Sequence, residues 1–179
     1  LTIVGTGPRL RLNTNSLTIA NGAGAFSFGY GSPTVAFPIA LAGVGNGAVH
    51  AWTNDSAFTA TINSELNFVM GGGGGHTLLL AGQGNWNVYA NLQAQNSGAG
   101  LALNVAGSGT VVYAPTNAPS TTYSGTFNGI TLNSGTLKFG NGSAVPATIT
   151  INNGTLDLNG FSITNNLNGA GTIDTTAAG

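Results

Sequence analysis

Three near-copies of one five-residue phrase confine this chain to a small set of folds: Gly135-Thr136-Leu137-Lys138-Phe139, Gly154-Thr155-Leu156-Asp157-Leu158 and Gly171-Thr172-Ile173-Asp174-Thr175. The glycines that open them recur at nearly even spacing (154 − 135 = 19 and 171 − 154 = 17). That period is too short for a helical repeat and suits one turn of a β-solenoid, in which each repeat buries its apolar face against its neighbours. In each phrase a glycine turn leads into a strand of period two, so Leu137 and Phe139 share one face and Lys138 takes the other. A second strand repeats beside the first, because Ile130-Thr131-Leu132 returns as Ile149-Thr150-Ile151 at the same spacing as Gly135 and Gly154 (149 − 130 = 154 − 135). Stacked as parallel strands about 4.8 Å apart, such coils align Lys138, Asp157 and Asp174 in an outward column above an apolar inner one. The fold expected is all-β, a parallel β-helix with little helix. Its structural repeat is carried by Gly135, Thr136, Leu137, Gly154, Thr155, Leu156, Gly171, Thr172 and Ile173.

Short strand candidates punctuated by Gly and Asn run the whole length, from Leu1–Val4 to Val111–Tyr113 ahead of the repeated phrases. One solenoid domain over 1–179 is expected, less regular over 1–70 and repeat-matched over 76–179. Pro33 and Pro38 place the segments around them at edges, bulges or corners, since proline cannot donate to a ladder. The stretch Asp55–Met70 is the nearest to helical, but Thr59, Thr61, Ile62, Phe68 and Val69 favour strand. Gly71–Gly75 read as a loop, a hinge between the two parts; no Lys-Ser or Lys-Thr follows to make a phosphate-binding loop. Coils of about 18 residues give roughly ten turns and about 45 to 50 Å of axial length.

Only three Lys/Arg and four Asp/Glu occur in 179 residues, 4% charged against the usual quarter or so. The surface is therefore Asn, Thr, Ser, Ala and Gly, with little charge repulsion to keep copies apart. No basic face exists to neutralise phosphates, which sets nucleic acid aside as a partner. No run of about 18 apolar residues predicts a membrane-spanning helix. The absence of cysteine fits an extracellular or cell-surface bacterial protein without disulfides. A start at Leu1, without Met or a signal peptide, fits a processed mature protein or an excised fragment.

Candidate chemistry is sparse, and neither a catalytic residue nor a cofactor or metal is assigned. Asp157 and Asp174 are expected as stacked neighbours, an arrangement open to weak calcium binding or acid-base pairing. An exposed Lys138–Asp157 pair, worth at most about 1 kcal/mol, is the stronger reading. His50 and His76 lie far apart in sequence with no cysteine near, and read as turn residues rather than zinc ligands. Ala25-Phe26-Ser27-Phe28-Gly29, with Asp55 and His76 downstream, echoes a nucleophile elbow but lacks the following helix. Gly5-Thr6-Gly7 lacks the third glycine of a dinucleotide fingerprint, with Leu10 in its place. The 22 asparagines include Asn133, Asn152, Asn153, Asn159, Asn165 and Asn166. Two readings stand for them, ladders between coils and simple turn preference. Trp52, Trp86, Tyr30, Tyr89, Tyr113 and Tyr123 are either core residues or the lining of a sugar-binding groove. Asn54-Asp55-Ser56, Asn141-Gly142-Ser143 and Asn153-Gly154-Thr155 match the glycosylation pattern, which has meaning only in a host with that machinery.

From Leu101 to Gly142 the chain reads Gly107-Ser108-Gly109-Thr110-Val111-Val112-Tyr113, Thr122-Tyr123-Ser124-Gly125, Ser134-Gly135-Thr136-Leu137 and Phe139-Gly140-Asn141-Gly142. This order resembles the autotransporter-associated β-strand repeat, over about a quarter of the chain. His76–Ala99 and the tail to Gly179 are similar but looser. The resemblance implies a right-handed parallel β-helix, non-catalytic, acting as a stalk or scaffold of bacterial secreted or surface proteins. The membrane barrel that usually ends such proteins has no counterpart here. A solenoid without capping helices exposes unpaired strand edges. Stacking on further copies, or insertion of Leu1, Thr2, Ile3 and Val4 as a donated strand, satisfies them and propagates a filament. The expected function is a non-enzymatic structural subunit of an extracellular filament or surface fibre, its partners copies of itself and surface polysaccharide. The alternative is an adhesin passenger or stalk fragment that binds glycan.

Overall fold

Segments rich in β-branched and alternating residues pair side by side in the computed structural model. It describes the strands between residues 17 and 43 and at 66–70 through their backbone. Residues 47–62 and 75–176 are described in full, apart from 48, 56, 58, 95–99, 116–125, 143–147 and 165. Leu1–Val4, Arg9, Arg11, Tyr30 and Tyr123 lie outside the described residues.

The first coil comprises β1 (Leu17–Ile19), β2 (Phe26–Phe28) and β3 (Thr34–Val35). The second comprises β4 (Ile39–Gly43), β5 (Val49–Asn54) and β6 (Ala60–Ile62). The third has β7 (Leu66–Met70), β8 (His76–Ala81) and β9 (Trp86–Val88). The fourth has β10 (Leu92–Ala94), β11 (Gly100–Val105) and β12 (Thr110–Tyr113). Among the described residues the remaining coils carry two strands each. These are β13 (Thr126–Leu132) with β14 (Thr136–Phe139), β15 (Thr148–Ile151) with β16 (Thr155–Asp157), and β17 (Asn166–Gly169) with β18 (Thr172–Asp174). Equivalent strands of successive coils form three sheets. Sheet A is β1-β4-β7-β10, and sheets B and C run seven strands each, from β2 to β17 and from β3 to β18. Every pairing is parallel, the signature of a β-solenoid. No described residue is α-helical, and Asp55–Met70 contributes β6 and β7.

Coil length changes along the stack. With sheet A present, one coil carries the chain from Val49 to its partner Thr77 (77 − 49 = 28) and the next from His76 to Leu101 (101 − 76 = 25). From β11 to β13, across residues 116–125 outside the described ones, the advance is still 27 (130 − 103); it shrinks from β13 on, from Ile130 to Ile149 (149 − 130 = 19) and from Thr155 to Thr172 (172 − 155 = 17). The expectation of roughly ten coils at the shorter period is thereby corrected. Seven coils are described, and six spacings of about 4.8 Å give an axial length of about 29 Å. Strands before Met70 pair in the same three sheets as those after it, so the glycine run interrupts neither sheet B nor sheet C. Residues 71–74 of that run, between β7 and β8, lie outside the described residues.

Inward side chains stack in columns along the axis. Trp52, Leu80, Val105, Leu132 and Ile151 succeed one another in register on sheet B, each at most 3% exposed. Trp86, Val111, Leu137 and Leu156 do the same on sheet C. Fully burying each Val, Leu or Ile supplies about 1.5 to 3 kcal/mol. Where β13 follows the three-sided coils, a bulge at Asn128 shifts the register between Leu101 and Ala102. Phe127 packs there against the core, its ring centroid 5.7 Å from that of Tyr113.

The corner between sheets B and C holds the stack in register. Thr155 N donates to Gly135 O at 2.9 Å and Thr172 N to Gly154 O at 2.9 Å, so the ladder continues through the turn. So close an approach needs glycine. At Gly154, with φ of 100°, a Cβ would stand 2.5 Å from Gly135 O; at Gly135, with φ of 73°, it would stand 2.6 Å from Gly109 O. Gly47 also has positive φ, 80°, but nothing lies within 4 Å of its Cβ position. Gly47→Ala therefore carries only the backbone penalty, about 1 kcal/mol, whereas Gly154→Ala adds the clash and costs roughly 3 kcal/mol. Urea unfolding of the two variants checks this difference; equal costs would contradict the corner contact.

Candidate functional site

Three features outside the repeating core are open to function: the outward side-chain columns, a buried histidine pair and the terminal coil. On sheet C the register aligns Lys138 with Asp157 and Asp157 with Asp174. Lys138 Nζ lies 2.8 Å from Asp157 Oδ2, with the two side chains 30% and 17% exposed. At that exposure the pair contributes at most about 1 kcal/mol. The Asp174 carboxyl is held below its ordinary range by the Thr176 amide and hydroxyl, at 2.9 and 2.7 Å, and to a lesser degree by Lys138. Among the described residues no group of three or more His, Cys, Asp or Glu is placed to hold a metal ion.

Beside this column a ladder of amides climbs the corner that follows sheet B. Asn152 Nδ2 donates to Asn133 Oδ1 at 2.8 Å, and Asn133 Nδ2 to Asn104 Oδ1 at 2.7 Å. Other asparagines serve turns. Asn159 adopts φ of 51° and sends its Nδ2 to Phe139 O, while Asn153 Oδ1 accepts from the next amide, Gly154 N. Both readings of the asparagines thus hold, at different positions; Asn165 lies outside the described residues. The aromatic groove loses three of its six candidates. Trp52, Trp86 and Tyr113 are at most 3% exposed and belong to the core, and burial pushes the Tyr113 hydroxyl up to about 12.

The histidines overturn their assignment as turn residues. The alternation of β5 turns His50, Trp52 and Asn54 inward, and that of β8 turns His76, Leu78 and Leu80 inward. His50 is 0% and His76 2% exposed. Their rings stack with centroids 5.6 Å apart and planes at 15°, and His50 Nε2 lies 3.4 Å from His76 Nδ1. Desolvation, then the neighbouring His76, lowers the His50 pKa to about 4; desolvation also lowers that of His76. The 26-residue separation of the two histidines, close to one three-sided coil, is the signal that could have revealed the contact.

The terminal coil differs from those beneath it. β17 and β18 each pair on one side only among the described residues. Ile173 sits in register above Leu156 and Leu137, both 0% exposed, yet is itself 43% exposed. Leu167, above the buried Ile149, is half-buried, and Asn166, Asn168 and Thr172 are exposed. Thr172 N donates to Gly154 O as Thr155 N does to Gly135 O, but the positive φ of this corner falls at Gly169 (109°) rather than at Gly171.

No protein-family model, no curated protein and no solved structure matches this chain.

The histidine pair gives a signed pH dependence. An unfolded chain protonates His50 near pH 6.5 and the folded protein only near pH 4, so its contribution to stability is intact above about 6.5, declines as pH falls toward 4 and then levels off. The loss from His50 is on the order of 3 kcal/mol, and His76 acts in the same direction. Urea midpoints measured across this range should fall for the wild type and stay flatter for His50→Leu/His76→Leu. Parallel profiles would contradict the burial of the pair.

Proposed function

We propose that the chain is a non-enzymatic structural subunit of an extracellular bacterial filament or surface fibre, extended by parallel strand pairing between copies. The observation that carries this reading is the terminal coil. An edge strand offers a row of backbone donors and acceptors to any matching strand, and here both β17 and β18 do so beside the exposed apolar Ile173. The strands at the other end of sheets B and C, β2 and β3, are parallel members of the same two sheets. Seating β2 and β3 of one copy above β17 and β18 of another continues both ladders in one direction. The contact is head-to-tail, and such heterologous contacts generate rings or open filaments rather than closed pairs.

Composition supports the same reading. With a formal net charge of −1 and few side chains of either sign, copies meet little electrostatic resistance. The corner glycines and the asparagine ladder add a preference for in-register stacking, since a displaced coil would lose the Asn152–Asn133–Asn104 bonds. The alternative, a stalk within an adhesin passenger, draws on the resemblance over Leu101–Gly142 and uses the same edge to join further coils of a longer chain.

Negative-stain electron microscopy of the purified chain tests the proposal. Filaments that grow with concentration and need no added ligand are expected. Ile173→Lys should suppress them while leaving the circular dichroism spectrum unchanged, because it places a charge at the open edge and removes no ladder bond to the coil beneath. Discrete particles at all concentrations for the unaltered chain would overturn the filament and favour the stalk.

A further inference from the structure

The corner between β15 and β16 carries a chemical reactivity that does not depend on assembly. Its turn reads Asn152-Asn153-Gly154, and its two asparagines are held differently. Asn152 is fixed in the amide ladder by its bond to Asn133. Asn153 is exposed, and its Oδ1 accepts from the Gly154 N–H at 2.9 Å. The ladder to the coil beneath runs through Asn152 N and, at longer range, Asn153 N to Leu132 O, at 2.8 and 3.4 Å, and through Thr155 N to Gly135 O at 2.9 Å. The side-chain carbonyl of Asn153 thus lies against the one nitrogen able to close a five-membered ring on it. Gly154 has no Cβ to hinder that closure, and contact with Gly135 O excludes any other residue from its place.

We propose that Asn153 is a site of spontaneous deamidation in the folded protein. The Gly154 nitrogen gives up its proton to solvent and attacks Cγ of Asn153. The new N–Cγ bond forms as the Cγ–Nδ2 bond breaks, and Nδ2 leaves as ammonia. The resulting succinimide is opened by one water molecule at either carbonyl, yielding aspartate or isoaspartate with no change in oxidation state. Isoaspartate routes the main chain through its Cβ and lengthens a corner whose carbonyl contacts leave no slack. The last two coils, β15 to β18, loosen as a result.

Other described Asn-Gly pairs lack this arrangement. Asn128 lies within β13, and its Oδ1 accepts from Thr126 Oγ1 at 2.8 Å. Asn141 directs its Nδ2 to Pro115 O at 2.8 Å, and Asn159 directs its own to Phe139 O at 3.1 Å. None of these bonds joins the side-chain carbonyl to the nitrogen that follows, as the Asn153–Gly154 bond does. Asn168 lies within β17, where Asn168 and Gly169 are both in register with β15 and the main chain is fixed by that ladder.

Incubation of the full chain at mildly alkaline pH, native and in urea, followed by peptide mapping with site-resolving fragmentation, tests the proposal. Conversion adds about one dalton to the affected peptide. In urea, Asn128, Asn141, Asn153, Asn159 and Asn168 should convert at similar rates, since all precede glycine. In the native protein Asn153 should lead the others by about tenfold or more, the modest end of what a held geometry supplies. Asn153→Gln, which would need a larger ring, should remove the mass gain and keep the fold. Conversion at Asn152 instead, or at Asn153 no faster than at Asn159 in the native state, would overturn the proposal.

Discussion

A glycine in the left-handed region, pressed against the carbonyl oxygen of a glycine in the coil beneath, is the contact on which the stack depends. At Gly135 and Gly154 the turn from sheet B to sheet C is tight enough for the Thr136 and Thr155 amides to reach across to the neighbouring coil. Both sheets therefore continue through the corner in a single register. That register lines up like with like on each face: Leu137 with Leu156 inside, and Lys138 with Asp157 outside. An interior of such columns needs no charge, and an exterior of Thr and Asn needs little. The 4% charge content reflects this division of labour between faces.

The same regularity leaves the last described coil open on one side. A globular core closes around its own apolar residues, whereas a column closes only by adding another coil. Ile173 is an inner-column residue by register and a surface residue by exposure, and this mismatch motivates the assembly proposal. The corner that supplies the register also brings Asn153 against the Gly154 amide. Tight stacking and susceptibility to deamidation thus share one geometric origin.

The β-solenoid was legible in the spacing of Gly135, Gly154 and Gly171 because two-sided coils are short and nearly equal in length. Ile130 and Ile149, taken as equivalent from the sequence, are register partners. The earlier coils were harder to read. A third strand lengthens each of them, so that Val49 meets Thr77 and His76 meets Leu101, and unequal corner lengths blur the period that self-comparison would detect. Counting coils from the short period alone overestimates them for this reason. The His50–His76 contact was hidden by the same blur, since two polar residues one coil apart look unrelated until the coil length is known. Trp52 and Trp86 were ambiguous because an aromatic ring suits a core and a sugar-binding surface equally, and strand alternation settles both as core.

In-register stacking at the glycine corner is most directly tested by cysteine pairing, in a chain that contains no cysteine of its own. Thr155 and Thr172 are register partners on the outward face of sheet C, whereas Asp174 is the partner of Asp157, two positions further along. Parallel neighbours stand about 4.8 Å apart between strands, within disulfide reach, and the offset pair stands beyond it. Under mild oxidation Thr155→Cys/Thr172→Cys should close its disulfide rapidly within one chain and keep the wild-type stability. Thr155→Cys/Asp174→Cys should remain reduced. Equal rates for the two pairs, or faster closure of the offset pair, would contradict the register on which the fold, the open edge and the reactive corner all rest.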